Sequence, residues 1–291
     1  MKYNNIHSTV ELPDFVTIGK FNRIGKNVVI QAIRGAKNPK LYIGDCNVIN
    51  DNVKILVGDA GVVIKDWNVI HNDILIIGED RVEIGHNCWF GQNTVIDGSG
   101  VLIIGNGVRV GMYSQIWTHV ASGEQIEGCV LYAKRKTEIH NNVWLVGSCI
   151  VGSGIILAER TTYLINSVVT KDTEPNKVYS GSPAKVMEKL NFYKDTSPYE
   201  KFNMLLDWSK EYAMENKELN VERVNESEIH ISDLSGNKLK FIGNTKEFER
   251  EKPNVTVFDM ETKSFVKKLT ELERSFYTFL YNNKARFTPI D

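Results

Sequence analysis

The stretch "VEIGHNCWFGQNTVIDGSGVLIIGNGVRVGMYSQIWTH", Val82 to His119, decides the fold. Ile84, Phe90 and Ile96 are six residues apart, and after a short break Ile104, Val110 and Ile116 repeat the spacing. A period of six suits neither an α-helix, which repeats every 3.6 residues, nor a strand that alternates every two. It suits a chain wound into triangular coils, with one side chain per hexapeptide directed to the axis.

The pattern extends both ways. Upstream lie Ile18, Ile24, Ile30; Ile43, Ile49, Ile55; and Ile64, Ile70, Ile76. Downstream an unbroken run takes in Ile139, Leu145, Val151, Leu157, Tyr163 and Val169. Of these 21 positions 14 are isoleucine, and eight are followed at once by glycine (19, 25, 44, 85, 91, 105, 111, 152), which is expected to let the backbone turn. Many have a small or β-branched residue four places on, such as Cys88, Thr94, Ser114, Val143, Cys149 and Ser167. Extra residues enter only after Ile30, Ile55, Ile76, Ile96 and Ile116, so every triplet reads as one coil with all insertions at one corner. Seven coils result, from about residue 16 to 174, and at roughly 4.8 Å per coil the prism is on the order of 30 Å long. Periodicity predicts a parallel β-solenoid and leaves its hand open. The largest insertion separates Ile116 from Ile139, which puts His119 at the root of a long loop carried on a rigid scaffold.

Bulk properties narrow the function. The 291 residues are 42% hydrophobic, enough for one large domain and a smaller one. With 35 basic against 36 acidic residues, no field of one sign draws the chain to nucleic acid or an anionic membrane. The N-terminal "MKYNNIHSTVELPDF" lacks the apolar run of a signal peptide, and no later stretch approaches a membrane span, so a cytoplasmic protein is expected. Cysteines 46, 88, 129 and 149 have no C-x-x-C spacing and are expected to be buried free thiols.

The same segment, followed by "TEIHNNVWLVGSCIVGSGI" and "SVVTKDTEPNKVYSGSPAKVM", resembles the hexapeptide-repeat acyltransferases. The match is nearest to the branch of galactoside, maltose and xenobiotic acetyltransferases and the acetyltransferases of surface polysaccharides, and covers about residues 16 to 190. The resemblance implies a left-handed parallel β-helix, a homotrimer, an active site at each subunit interface and acetyl-CoA as acyl donor. Under it His119 matches the catalytic base, and the loop 117–138 would wall the acceptor site. Gly147 and Ile165 match positions along the pantetheine groove, while Thr170, Lys171 and Lys185 match the part that meets the nucleotide end. Two departures stand out: "LIN", Leu164 to Asn166, replaces the usual Gly-Ala-Gly, and His140 replaces the glycine of the usual Ile-Gly.

Acyl transfer from a thioester needs a base, donors for the oxyanion and a fixed approach of acceptor to carbonyl. A histidine that titrates near neutrality suits the first task. Asp97, in "IDGSG" one coil below His119, is placed to orient the imidazole or bind a sugar hydroxyl, although D-G-S-G is also a turn sequence. Asn93, Tyr113, Trp117 and Trp144 are the candidate acceptor contacts, with loop packing, corner hydrogen bonds or a trimer contact as the rival reading. A metal centre is not expected. Histidines 7, 71, 86, 119, 140 and 230 form no H-x-x-x-x-H pair of the kind that zinc enzymes of this fold would need.

After "GSPAKVMEKL" the period disappears. "SPYEKFNMLLDWSKEYAMEN" has helical spacing behind a Ser197-Pro198 start, "VERVNESEIHISDLSGNKLKFIG" alternates around a Ser235-Gly236-Asn237 turn, and "SFVKKLTELERSFYTFLYNNKARF" reads as a strand and a helix. The expected organisation is a lead-in over 1–15, an acyltransferase β-helix over 16–190 and an α+β accessory domain over 191–291. The expected function is acetyl transfer from acetyl-CoA to a hydroxyl of a carbohydrate, a surface polysaccharide or its precursor, by direct attack on the thioester. The rivals are N-acetylation of a nucleotide-linked amino sugar and a non-catalytic binding solenoid.

Overall fold

The computed structural model describes residues 3–121, 123–216, 218–243 and 252–290. Met1 and Lys2 of the lead-in and Ser122 of the expected loop lie outside the described residues. The chain divides into two compact units, Met1–Phe192 and Tyr193–Asp291.

Among the described residues the first unit builds three sheets, of seven, ten and seven strands, that form the faces of a parallel β-helix. Each coil passes through the first face (Val16–Ile18 in the lowest coil), the second (Arg23–Ile24) and the third (Val29–Ala32). The inward isoleucines stack in register. Ile18, Ile43, Ile64, Ile84, Ile104, Ile139 and Leu157 form the first column. Ile30, Ile55, Ile76, Ile96, Ile116, Val151 and Val169 form the third. All of the 21 in-phase residues except Ile18 are buried, so the hexapeptide period and the apolar core are one feature. Asn5–Ile6 of the lead-in pairs with Arg23–Ile24 and extends the second face by one strand. At the far end stacked Tyr163 and Tyr179 replace the aliphatic residues, and Tyr163 bonds Thr173 in the segment that crosses the end of the first face.

The glycines have a different role from the one expected. Glycines 19, 25, 44, 85, 91, 105, 111 and 152 do not adopt positive φ; the left-handed positions lie two residues further on, at Phe21, Asn27, Cys46, Asn87, Asn93, Gly107, Tyr113 and Gly154. Steric contact between coils explains most of the small residues instead. A Cβ on Gly111 would lie 1.9 Å from the Val146 carbonyl oxygen, and one on Gly91 would lie 2.5 Å from the Met112 nitrogen. Parallel coils at strand spacing leave no room there.

Buried polar groups knit the corner between the first and second faces. Asn4 accepts from the Asn22 backbone N–H, Asn22 from Asn47, Asn47 from Asn68, and Asn68 from Cys88, each at 2.8–2.9 Å. Such a ladder satisfies amides that the turn removes from the sheets, which would otherwise carry the cost of an unmade buried hydrogen bond.

The second unit is an α+β fold with a six-stranded sheet and two helices among the described residues. Helix α1 (Pro198–Glu215) starts at a capping box in which Ser197 accepts from the Glu200 N–H and Glu200 accepts from the Ser197 N–H. The expected hairpin joins Glu228–Ser232 to Lys238–Ile242. Lys238–Ile242 then pairs in parallel with Val255–Asp259, a wholly buried strand that alternation could not reveal. Helix α2 (Glu271–Tyr281) contributes Phe276 and Tyr277 to a core with Phe241, Phe258, Phe265 and Phe287.

Candidate active site

The insertion corner, between the third and first faces, holds the site. The strand Val95–Asp97 pairs with Gln115–Ile116 one coil above, and the next residues of the upper coil, Trp117 and Thr118, cross over Asp97. The segment beyond is a hairpin rather than an open loop. His119–Ala121 pairs antiparallel with Tyr132–Lys134, with His119 opposite Lys134, and a short 3₁₀ turn follows at Gln125–Glu127. The Arg135 N–H returns to the Thr118 carbonyl at 2.8 Å. His119 is thus held by a strand ladder at the point where the chain leaves the prism.

Asp97 is wholly buried and collects donors on both oxygens. Ser99 Oγ donates to Oδ1 at 2.6 Å; the Thr118 N–H donates to Oδ2 at 2.9 Å, and His119 Nδ1 lies 2.9 Å from the same oxygen. Thr118 Oγ1 is also 2.9 Å from Oδ2 and accepts from the Gly100 N–H at 2.8 Å. Burial, the largest single influence, pushes the Asp97 carboxyl up, but hydrogen bonds from Ser99, His119 and Thr118 together hold it below the ordinary carboxylate range. An ionised carboxylate can only accept, so the proton of the His119–Asp97 bond belongs to Nδ1. That tautomer leaves the lone pair of a neutral imidazole on Nε2, at the opposite edge of a ring that is about one-third exposed. Trp117 flanks the ring edge-on at 6.0 Å between centroids. The arrangement can remove a proton from a group that approaches from solvent.

Glycine shapes this corner too. A Cβ on Gly98 would meet Val82 Cγ2 at 2.1 Å, and one on Gly100 would meet the Thr118 oxygen at 2.9 Å. "DGSG" is therefore both a turn and the seat of the carboxylate.

Of the candidate acceptor contacts only Trp117 shares this corner. Asn93 and Tyr113 stand at the corner between the second and third faces, both with left-handed backbone and both exposed. Gly147 and Ile165 continue the same edge: Ser148 N–H donates to Met112, and Asn166 N–H to Gly147. Trp144 projects from the second face between Arg109 and Thr162. Within one chain these five residues are not gathered around His119. Thr170, Lys171 and Lys185 do come together, along a groove of about 400 Å³ beside Tyr179 and Pro183 at the upper end of the prism. Ser99 and Thr118, which sequence reasoning did not single out, were signalled only by their places two residues after the aspartate and one before the histidine.

His71 and His86, at other corners, belong to the scaffold. His86 accepts from the Asp66 N–H at 3.2 Å, and His71 packs edge-on to Trp89 at 4.9 Å, with burial holding its imidazole below the usual value. Among the described residues no group of three or more His, Cys, Asp or Glu side chains is disposed to hold a metal ion.

Comparison with known proteins agrees with the repeat. The chain is 27% identical over 113 residues to the galactoside O-acetyltransferase of Escherichia coli (strain K12), which covers 38% of this chain and 55% of that protein. It is 31% identical over 171 residues to the galactoside O-acetyltransferase of Lactococcus lactis, covering 59% and 64% of the two chains. The chain is similar to these sugar O-acetyltransferases along its hexapeptide repeat. A probable macrolide acetyltransferase of Lysinibacillus sphaericus is 33% identical over 91 residues, 30% of this chain and 47% of that protein. The matches thus span about half to two thirds of the length of these relatives. No family model matches the chain. Among solved structures, the polySia-specific acetyltransferase NeuO aligns with a TM-score of 0.41 at 18% identity, over 64% of this chain and 91% of that one. The Bacillus cereus N-acyltransferase AntD aligns with a TM-score of 0.35 at 14% identity, over 67% and 90%.

Proposed function

We propose that this protein is an acetyl-CoA-dependent O-acetyltransferase whose acceptor is a hydroxyl of a carbohydrate. The observation that carries the reading is the 2.9 Å contact between His119 Nδ1 and the buried Asp97 carboxylate, which leaves Nε2 as a base at the mouth of the hairpin. The names of the curated relatives, two of them galactoside O-acetyltransferases, support acetyl transfer to a sugar.

In this reading Nε2 takes the proton of the acceptor hydroxyl as its oxygen attacks the thioester carbonyl. The tetrahedral intermediate then collapses, the C–S bond breaks, and the imidazolium returns the proton to the departing CoA sulfur. Asp97 fixes the tautomer and offsets the positive charge of the imidazolium, and a base so placed contributes about 10²- to 10⁴-fold to the rate. Thr170, Lys171 and Lys185 hold the nucleotide end of the donor, and Gly147 and Ile165 its pantetheine arm. A cytoplasmic homotrimer completes the site, because a second copy can bring its corner with Asn93 and Tyr113, and Trp144 of its second face, towards the first copy's His119.

The test is release of free CoA from acetyl-CoA with a panel of sugar hydroxyl and amine acceptors, for the parent and for His119→Ala. Transfer to hydroxyls that falls by about 10²-fold or more in the variant is the expected outcome. An unchanged rate in His119→Ala sinks the proposed base. Transfer to amines alone would move the reading to N-acetylation, and a parent that neither binds acetyl-CoA nor transfers would make the solenoid a binding scaffold.

A further inference from the structure

Below the dyad, the same insertion corner carries a second recess. Successive passes of the chain place one residue per coil in a column, marked by the hydrogen bonds that tie each pass to the next: Val62 N–H donates to the Lys40 carbonyl, Val82 to Gly61, Leu102 to Arg81 and Thr137 to Val101. Lys40, Gly61, Arg81, Val101 and Lys136 therefore stand one above another along the edge that ends at the root of the His119 hairpin. At its lower end the column opens into a cavity of about 590 Å³ walled by Lys40, Tyr42, Arg81, Asp14 and Asn38.

Local chemistry accounts for the recess. Gly61 has φ +83° and no side chain, so the middle of the column is empty where neighbouring passes carry long side chains. The flanking loop is pinned back: Asp59 accepts from the Lys37 and Asn38 N–H groups at 2.7 and 2.6 Å. Tyr42 stands on the outer side of the first face, in register with Val63 and 42% exposed, and presents an aromatic surface to the cavity. Cations further up the column are paired with acids beside them, Arg81 with Glu83 at 2.7 Å and Lys136 with Glu138 at 2.8 Å. An aromatic face among donors and acceptors of both kinds is the lining that a sugar ring requires, apolar on one side and hydroxylated at the rim. The volume lies within the ~300–1,000 Å³ of ordinary ligand clefts.

We propose that this recess is a distal subsite for a carbohydrate chain, so that the acceptor is an oligo- or polysaccharide lying along the edge with one sugar at His119 and further sugars at Tyr42 and Lys40. The inference rests on the carbohydrate reading given above and narrows it to a polymer. Three coils separate the Gly61 pass from the His119 pass, on the order of 14 Å at strand spacing. A single sugar at the dyad cannot reach across that distance, whereas a chain can. Tethering the second contact to the first makes it intramolecular, so affinity rises with chain length until both ends of the track are filled.

The experiment measures binding of galacturonate monomer, trimer and hexamer, and of glucose, maltotriose and maltohexaose, to the full-length protein by saturation-transfer NMR and calorimetry. CoA release is followed in the same preparations. The hexamer of at least one series is expected to bind about tenfold more tightly than its monomer, and Tyr42→Ala and Lys40→Gln are each expected to remove most of that advantage. Lys40 is an exposed side chain, so its variant tests the track without a burden on folding. Equal affinity for all lengths in both series, or a length advantage that survives both substitutions, overturns the subsite. Length-dependent binding without CoA release sinks acetyl transfer and leaves the track standing; release without length dependence sinks the track alone.

Discussion

His119 Nδ1 and Asp97 Oδ2 are 2.9 Å apart, and the carboxylate in that pair has no exposed surface while the imidazole is about one-third exposed. One partner belongs to the scaffold and the other to solvent. The asymmetry separates what each substitution should do. Asp97→Asn keeps the shape of the side chain but turns an amide N–H₂ towards donors on one of its two sides. The expected outcome is a kcat lower by up to about 10⁴-fold, since the imidazole loses its fixed tautomer, together with a loss of about 1–3 kcal/mol of stability from mismatched buried hydrogen bonds. Single-turnover kinetics and thermal unfolding measure the two effects on the same protein. A variant with parent kcat would mean that Asp97 only builds the corner.

The same carboxylate sets a pH dependence. Its folded-state pKa is depressed, so its contribution to stability is full above the unfolded carboxylate range and is lost as the pH falls through the folded value. The difference in melting temperature between parent and Asp97→Asn is therefore expected to be largest at neutral pH and to shrink on acidification below about pH 4. A difference that grows towards acid would contradict an ionised Asp97.

Ser99 acts through Asp97. Its hydroxyl donates to Oδ1 at 2.6 Å, on the side away from His119, and stabilises the charged form of the carboxylate. Ser99→Ala is expected to move the acid limb of the stability profile, melting temperature against pH, towards neutrality, because Asp97 then takes up its proton less reluctantly. Ser99→Thr, which keeps the hydroxyl, restores the parent profile if the corner admits the methyl group. An acid limb unmoved in Ser99→Ala would assign the pKa of Asp97 to Thr118 and His119 alone.

Two glycines on one edge make opposite predictions. A Cβ on Gly111 falls 1.9 Å from the Val146 carbonyl oxygen, backbone that cannot move without opening the coil stack. One on Gly147, in the next coil, meets nothing nearer than the Met112 oxygen at 3.6 Å. Gly111→Ala is expected to destabilise by several kcal/mol, about 3 or more, as overpacking against rigid neighbours does. Gly147→Ala is expected to fold like the parent and to raise the KM for acetyl-CoA, since the added methyl group enters the proposed pantetheine path. Chemical denaturation and initial rates at varied donor concentration separate the cases.

These contrasts mark how far the sequence could be read. One inward side chain per hexapeptide made the coils visible, because the axis accepts only apolar groups and the period is written by burial. The break after Ile116 located His119 for the same reason. The period also held an unread distinction: Asn93 and Tyr113 fall three residues after second-face positions, whereas His119 falls three after a third-face position, which separates their corners. Spacing could not show why glycine follows the inward residue, since that reason lies in the coil above. The hairpin within 117–138 stayed hidden because each of its strands is only three residues long. Val255–Asp259 stayed hidden because a strand buried on both sides does not alternate.

The hairpin gives the last prediction. Lys134, directly opposite His119, reaches Glu79 at 2.5 Å, two passes lower on the insertion corner. The hydrogen bond to the Glu79 carboxylate raises the pKa of the ammonium, so Lys134 stays charged across the neutral range. Both side chains are nearly half exposed, and an ion pair of that kind contributes about 0–1 kcal/mol, so Lys134→Ala should leave global stability almost unchanged. Its effect is local: the strand that carries the proposed base loses the tie holding its partner strand against the prism. We expect a several-fold lower kcat for Lys134→Ala, and a parent enzyme that loses activity with rising salt as the tie is screened over a Debye length of about 10 Å at 0.1 M. In the variant the tie is already gone, so the salt dependence should be reduced. Parallel salt dependences in parent and variant would place the screened interaction elsewhere, and leave the three-residue ladder at His119 to hold the base by itself.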